Sequence, residues 1–123
     1  MIRLVGRKLI IPQGDTGAFT IPTLGTVSEG DQAIFAIYDN LTHITVCEKK
    51  IPATPETLTF NFIPEDTKDI EPEEKGGRYT WDVTILREPS PTENNEIEYG
   101  KVDSYYAAYK LPQCIIKRVT RHV

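Results

Sequence analysis

Alternation of apolar and polar residues runs along much of the chain and predicts β-strands. The clearest runs are TLTFNF at 57–62 and RYTWDVTI at 78–85. Because successive side chains of a strand point to opposite sides of a sheet, each run predicts a strand with one face in the core. The residues expected to face the core are Leu58, Phe60 and Phe62 in the first run, and Tyr79, Trp81, Val83 and Ile85 in the second.

Further short runs separated by turn residues extend this pattern to the rest of the chain. We expect strands at 7–11, 18–21, 32–39, 43–49, 97–110 and 113–119. The run at 32–39 is apolar on both faces, which predicts a central strand, and the next run returns beside it as a hairpin partner. Seven to eight short strands predict an all-β, antiparallel β-sandwich or barrel. We expect one domain over 1–123 with its core at about 7–119.

Composition and charge remove several classes of function. The formal net charge of -4 weighs against binding to nucleic acid phosphates. The basic residues at 117–123 are interpreted as a solvated tail, since they carry no aromatic stacking partner. No run approaches the roughly 20 apolar residues of a membrane span, and the amino-terminal residues lack a signal-peptide pattern. We therefore expect no membrane partner.

Two cysteines are too few for a disulfide framework in a domain of this length. Cys47 and Cys114 both lie in predicted strands, which favours buried free thiols. A bridge between them is the alternative that the sequence leaves open.

An acidic segment connects the two clearest strands. Its carboxylates are Glu65, Asp66, Asp69, Glu71, Glu73 and Glu74. Oxygen-rich loops suit calcium, but this segment lacks the alternating ligands and central glycine of an EF-hand loop. We therefore interpret it as a solvated connection between strands.

The same segment has features of the corner between the two sheets of an immunoglobulin-type sandwich. Asp66 and Thr67 can form a helical turn, Gly77 permits a sharp bend, and Tyr79 stands two residues before Trp81. In immunoglobulin domains a tyrosine at this place bonds back to the backbone, and a cysteine follows two residues later. Here Trp81 takes the place of that cysteine, so aromatic packing would replace the disulfide. The alternative is an ordinary polar loop between two strands.

These residues carry a resemblance to a known group of proteins. Gly14, Asp15 and Thr16 in an early turn, Phe60 and Phe62, the sequence PEDT at 64–67, and Gly77, Tyr79, Trp81 and Asp82 are its motif residues. The pattern, over about 7–110, resembles the immunoglobulin-like β-sandwich domains of small tail, baseplate and fibre-associated proteins from phages and prophages of Gram-positive bacteria.

The resemblance implies a structural part of a virion that docks onto other phage or prophage structural proteins, usually in a symmetric assembly. It implies a homo-oligomer, located in the virion or in the bacterial cytoplasm during assembly, with no enzymatic activity and no cofactor. The chain departs from a longer pattern of this kind because no extended coiled-coil region follows the sandwich, so the resemblance leaves open whether it stands alone or was once fused to a shaft.

Catalytic and metal chemistry find little support in the sequence. His43 and Cys47 share a parity in the predicted strand but would lie roughly 13 Å apart, too far to hold one metal ion by themselves. Nucleophilic catalysis by a cysteine would need one of the chain's histidines, His43 or His122, beside an orienting acid. We predict no catalytic, cofactor or metal site and rank a small β-barrel enzyme last.

Tyrosines near the carboxyl end are candidate interface residues. They are Tyr99, Tyr105, Tyr106 and Tyr109. Tyrosine suits interfaces because its ring buries area while its hydroxyl remains hydrogen-bonded. Ordinary core packing is one alternative for them. A bacterial carbohydrate- or surface-binding module that uses Tyr99, Tyr105, Tyr106 and Trp81 as glycan platforms is another.

Overall fold

The computed structural model describes residues 1–23, 26–86, 90–91, 97–98, 102–104 and 111–119. The strands are β1 (Arg3–Val5), β2 (Lys8–Pro12), β3 (Gly17–Pro22), β4 (Gln32–Asp39), β5 (Ile44–Pro52), β6 (Thr57–Phe62), β7 (Tyr79–Leu86), β8 (Ser90–Pro91), β9 (Ile97–Glu98), β10 (Val102–Ser104) and β11 (Gln113–Lys117), and the single-turn helix α1 is Pro64–Thr67. The described chain is therefore predominantly β, as the alternation predicts.

A large and a small sheet form the two layers of the fold. The large sheet has the strand order β1-β2-β11-β7-β4-β5, and β10 pairs with the C-terminal end of β7. The small sheet consists of β3 and β6. In both sheets the inward faces carry the buried apolar residues, so the core lies between the layers.

The prediction of a purely antiparallel fold is wrong. Strand β11 runs antiparallel to β7 but parallel to β2, with Cys114 opposite Leu9. Parallel neighbours need a long connection, and here nearly the whole chain lies between the two strands. Alternation within a strand carries no information on the direction of its neighbours, which is why the sequence did not reveal this pair.

The long hairpin expected after β7 is present in a more divided form. The predicted loop at 87–96 contains β8, which pairs with β9. The predicted return strand at 97–110 contains β10, which pairs antiparallel with β7 through Val102 and Leu86. These short strands bring the described number to eleven, above the seven to eight expected.

The hairpin of β4 and β5 matches its prediction closely but contains an irregularity. Strand β4 lies between β5 and β7, as expected of a central strand. Its inward face is buried and its other face is half-buried, so the second face is less covered than predicted. A register shift after Ile37 leaves Val46 as an extra residue, and Cys47 becomes the buried member of β5.

Five aromatic rings hold the two sheets together. Phe19, Phe60 and Phe62 come from the small sheet, and Phe35 and Trp81 come from the large one. The Phe19 ring meets the Trp81 ring edge-on at 5.9 Å between centroids. Edge-to-face and offset pairs of this kind stabilise beyond the area that they bury. The prediction that aromatic packing holds the core is consistent with this cluster.

Within the described part of the chain, none of the helical structure has the length and apolar character required to cross a membrane.

Candidate functional site

The segment between β6 and β7, residues 63–78, is called the crossover here, and it begins with α1. The helix starts with Pro64, whose missing N–H costs nothing in the first turn. The Asp66 carboxylate accepts a hydrogen bond from the Ile63 backbone N–H at 2.8 Å. The same carboxylate forms a 2.8 Å ion pair with Lys49 of β5. Asp66 therefore caps the helix and fixes it to the large sheet.

The next residues of the crossover are tied to the turn that follows β2. Thr67 is fully buried, and its Oγ1 accepts a hydrogen bond from the Gly14 N–H at 2.9 Å. The Gln13 side-chain amide donates to the carbonyl oxygens of Lys68 and Ile70, at 3.0 and 2.8 Å. The two Gln13 bonds satisfy backbone carbonyls of the residues that directly follow the helix.

The crossover ends at a tyrosine that bonds back to it. The Tyr79 hydroxyl donates to the Glu71 carbonyl oxygen at 2.7 Å, and burial raises the pKa of Tyr79. Gly76 and Gly77 have φ values of +85° and +91°, where side chains are strained. At Gly76 a Cβ would also lie 2.8 Å from the Gln113 amide oxygen. The glycines thus allow the sharp bend that brings Tyr79 beneath the crossover.

A buried ion pair lies beside this tyrosine. Asp39, at the end of β4, is only 2% exposed. Arg78 donates to both of its carboxylate oxygens, at 3.2 and 3.1 Å, and reaches the Glu71 carboxylate at 3.0 Å. The Leu41 backbone N–H also donates to Asp39, at 2.9 Å. Because Arg78 provides two hydrogen bonds, the pKa of Asp39 is lowered to about 2, although burial alone would raise it.

These elements form one wall of an open groove of about 530 Å³, and the first half of β5 forms the other. We call it the acidic groove. Its carboxylates are Asp39, Glu65, Asp66, Asp69 and Glu71. Ile44, Val46 and Ile70 provide apolar surface within it, and the Ile44 residue is 56% exposed.

The charges of the acidic groove are unequally satisfied. Asp39 and Glu71 are paired with Arg78, and Asp66 is paired with Lys49. Glu65 and Asp69 also line the groove and are exposed, and the described residues provide no ion pair for either. The groove therefore combines solvent-accessible negative charge with apolar surface, a combination suited to contact with another protein.

The described residues do not bring chemically reactive groups together at this site. His43 lies in the turn before β5 with a φ of +63°, so its predicted place inside the strand is wrong. Among the described residues, no cluster of three or more histidine, cysteine or acidic side chains is arranged to hold a metal ion. The predicted calcium alternative for the acidic segment therefore gains no support from the described geometry.

The cysteines are separate, buried thiols in the structure. Burial raises the pKa of Cys47 to about 11 and also raises the pKa of Cys114. Thiols with raised pKa values remain protonated near neutral pH and are poor nucleophiles. Their environment is that of core residues rather than of reactive groups.

The aromatic residues predicted as contact surfaces have different outcomes. Trp81 is fully buried, and its indole N–H donates to the Arg7 carbonyl oxygen at 3.0 Å. It therefore offers no face to a sugar. The candidate interface residues Tyr99, Tyr105, Tyr106 and Tyr109 lie outside the described residues.

The pair of Asp39 and Arg78 was missed by the sequence reasoning, although the pattern contained a signal for it. Asp39 has the same parity in its strand as Ala33, Phe35 and Ile37, which all face the core. An acidic residue at a core position requires a cation or several donors. Arg78 precedes the alternating run of β7 directly, and β4 and β7 are neighbours.

Comparison with protein-family models, with curated proteins and with solved structures finds no match to this chain.

Replacing Tyr79 with phenylalanine should lower the free energy of unfolding by about 1–2 kcal/mol, because the Glu71 carbonyl loses its hydrogen-bond donor. Chemical denaturation followed by tryptophan fluorescence measures this change. Tyr38→Phe is the matched control, since Tyr38 is half-buried and its hydroxyl has no hydrogen bond within the described part of the chain. Equal losses in the two variants would contradict a stabilising role for the Tyr79 bond.

Proposed function

We propose that this chain is a noncatalytic structural module of a phage or prophage particle, associated with the tail, baseplate or fibre. It acts through protein–protein contacts, and its fold is an immunoglobulin-like β-sandwich. Its partners are other structural proteins of the particle, and it assembles in the virion or in the bacterial cytoplasm before release. The observation that carries the proposal is the strand order together with the bonded tyrosine at the start of β7.

The strand order supports an immunoglobulin-like sandwich. Variable-type immunoglobulin domains place strands G, F, C and C′ side by side in one sheet, and strands B and E in the other. Here β11, β7, β4 and β5 occur in that order, and β3 pairs with β6. Counted along the chain, these six strands also follow the sequence B, C, C′, E, F, G.

The contacts between the sheets support the same comparison. In antibody domains a disulfide joins strands B and F, and a tyrosine at the start of F bonds back to the backbone upstream. Phe19 of β3 and Trp81 of β7 join the corresponding strands, and Tyr79 bonds to the Glu71 carbonyl. An aromatic contact in place of the disulfide suits a protein that folds in a reducing cytoplasm.

A contact function is favoured by the surface chemistry of the crossover. The acidic groove exposes the carboxylates Glu65 and Asp69, which have no ion pair among the described residues, next to the apolar side chain of Ile44. Charged groups at the edge of an interface guide association and select partners. The buried cysteines remain protonated near neutral pH, which makes them poor nucleophiles. The exposed groups of the acidic groove are suited to binding another protein.

The proposal is tested in the bacterial strain or phage that encodes the chain. Particles are induced, separated from soluble protein on a density gradient, and digested for mass spectrometry. We expect peptides of this chain to sediment with the tail proteins of the particle. Recovery only in the soluble fraction of lysates that contain complete particles would overturn the proposal. A glycan array with the folded protein then tests the carbohydrate-binding alternative.

A further inference from the structure

Strand β5 lies at one end of the large sheet and pairs with β4 on one side. No described strand pairs with its other side, so the backbone N–H and C=O groups there have no strand partner within the described part of the chain. It is also the longest strand of the described chain, from Ile44 to Pro52. An edge of this length can accept a further strand, and natural proteins commonly prevent such pairing with charged residues.

The charges of β5 have an arrangement that is complementary to itself. Glu48 and Lys50 are exposed and project from the same outer face. Lys49 projects from the inner side and is held by Asp66. The charges of β5 disfavour pairing with a strand that carries like charges opposite them. Two copies of β5 that run in opposite directions can instead place opposite charges next to each other.

Among the registers that keep both cores on the same side of a joined sheet, one is favoured by charge. Centring the pair on Lys49 places Glu48 of each copy opposite Lys50 of the other. Centring it on Glu48 would place two carboxylates together, and centring it on Lys50 would place two ammonium groups together. In the favoured register the two Lys49 side chains also meet, but each already has its Asp66 partner.

We propose that the free edge of β5 pairs antiparallel with the same edge of a second copy of this chain, centred on Lys49. The result is a two-fold symmetric dimer with a continuous sheet and two reciprocal pairs between Glu48 and Lys50. This interface rests on the proposed assembly function and identifies one partner as a second copy. The paired segment of each copy, from Val46 to Pro52, is short. We therefore expect a weak dimer that is populated only at high local concentration.

The other edge strands of the described chain are less able to select a partner strand and its register. Strands β1, β8, β9 and β10 contain only two or three residues each, too few for an extended pairing. Strands β3 and β6 contain no charged residue, so charge selects no register for a second copy there. The complementary charges therefore distinguish β5 from the other edges.

The experiment is sedimentation velocity of the wild type from about 10 μM to about 1 mM, a range suited to weak interfaces. Glu48→Lys and Lys50→Glu are compared singly and combined. Each single change places like charges opposite each other twice, and should raise the dimer Kd at least about tenfold. The combined variant restores both pairs in reversed orientation and should return the Kd to within about twofold of wild type.

Glu74→Lys and Lys75→Glu are matched controls, since they change the net charge equally at exposed crossover positions away from β5. Circular dichroism verifies that every variant is folded. A monomeric wild type over the whole range, or a dimer that responds equally to the control changes, would overturn the proposal. So would a combined variant that remains as weak as the single ones. A chain found in particles but monomeric in solution would retain the assembly function and remove only this interface.

Discussion

Replacing Trp81 with alanine should lower the free energy of unfolding by about 3–5 kcal/mol. The indole is fully buried and contacts both Phe19 of the small sheet and Phe35 of the large one. The change leaves a cavity where the two layers meet and removes the donor to the Arg7 carbonyl. Because a domain of this size is stabilised by about 5–15 kcal/mol, this loss removes a large share of the total.

Trp81→Phe is the matched control for this prediction. It retains a ring between the sheets and loses the indole N–H and part of the volume, so its cost should be clearly smaller. Guanidinium denaturation followed by far-ultraviolet circular dichroism measures both variants without using tryptophan as the probe. If alanine and phenylalanine cost the same, the contact between the layers would not be the main contribution of this residue.

The sequence predicted the parts of the fold in which burial follows local alternation. In β6, Leu58, Phe60 and Phe62 are buried and the residues between them are exposed, as expected. In β7, Tyr79 and Trp81 are buried, and the intervening Thr80 is half-buried. These strands each present one face to the core, and their side-chain pattern therefore contains the information needed to orient them.

The crossover was also predictable in part, because short-range rules govern it. Pro64 starts a helix easily, and Gly76 and Gly77 adopt the positive φ values that glycine tolerates. The expected helical turn over Asp66 and Thr67 is present as α1. The bonds that fix this turn to Gln13 and Gly14 depend on residues far away in the chain, and no local pattern identifies them.

Features that depend on neighbouring strands were not predictable in this way. The parallel pairing of β2 with β11 depends on the final strand lying between β2 and β7, which its own sequence does not specify. The extra residue Val46 depends on the register between β4 and β5. The acidic groove combines both kinds of information, since its acidic segment was visible in the sequence but Ile44 and Val46 beside it come from β5.

The ion pair of Asp39 and Arg78, in the wall of the acidic groove, leads to the second large effect. Asp39→Asn should lower the free energy of unfolding at neutral pH by about 2–3 kcal/mol, because Arg78 loses its main charged partner at a site largely withdrawn from water. Asparagine has nearly the same shape, so the change tests charge and hydrogen bonding rather than packing. Asp69→Asn is the matched control, since this exposed carboxylate has no ion pair within the described part of the chain.

The same variant separates the contribution of Asp39 from that of other carboxylates as pH falls. Hydrogen bonds from Arg78 hold the folded-state pKa of Asp39 at about 2, below its usual value of 3.8. A lowered folded pKa stabilises the fold above the unfolded pKa, and this stabilisation is lost as pH falls from about 5 towards 2. Denaturation midpoints measured across this range should therefore fall more steeply in the wild type and in Asp69→Asn than in Asp39→Asn. Parallel profiles for all three proteins would show that Asp39 is not responsible for this acid sensitivity. The buried pair would then stabilise the fold through the geometry of its hydrogen bonds and not through the charge of Asp39.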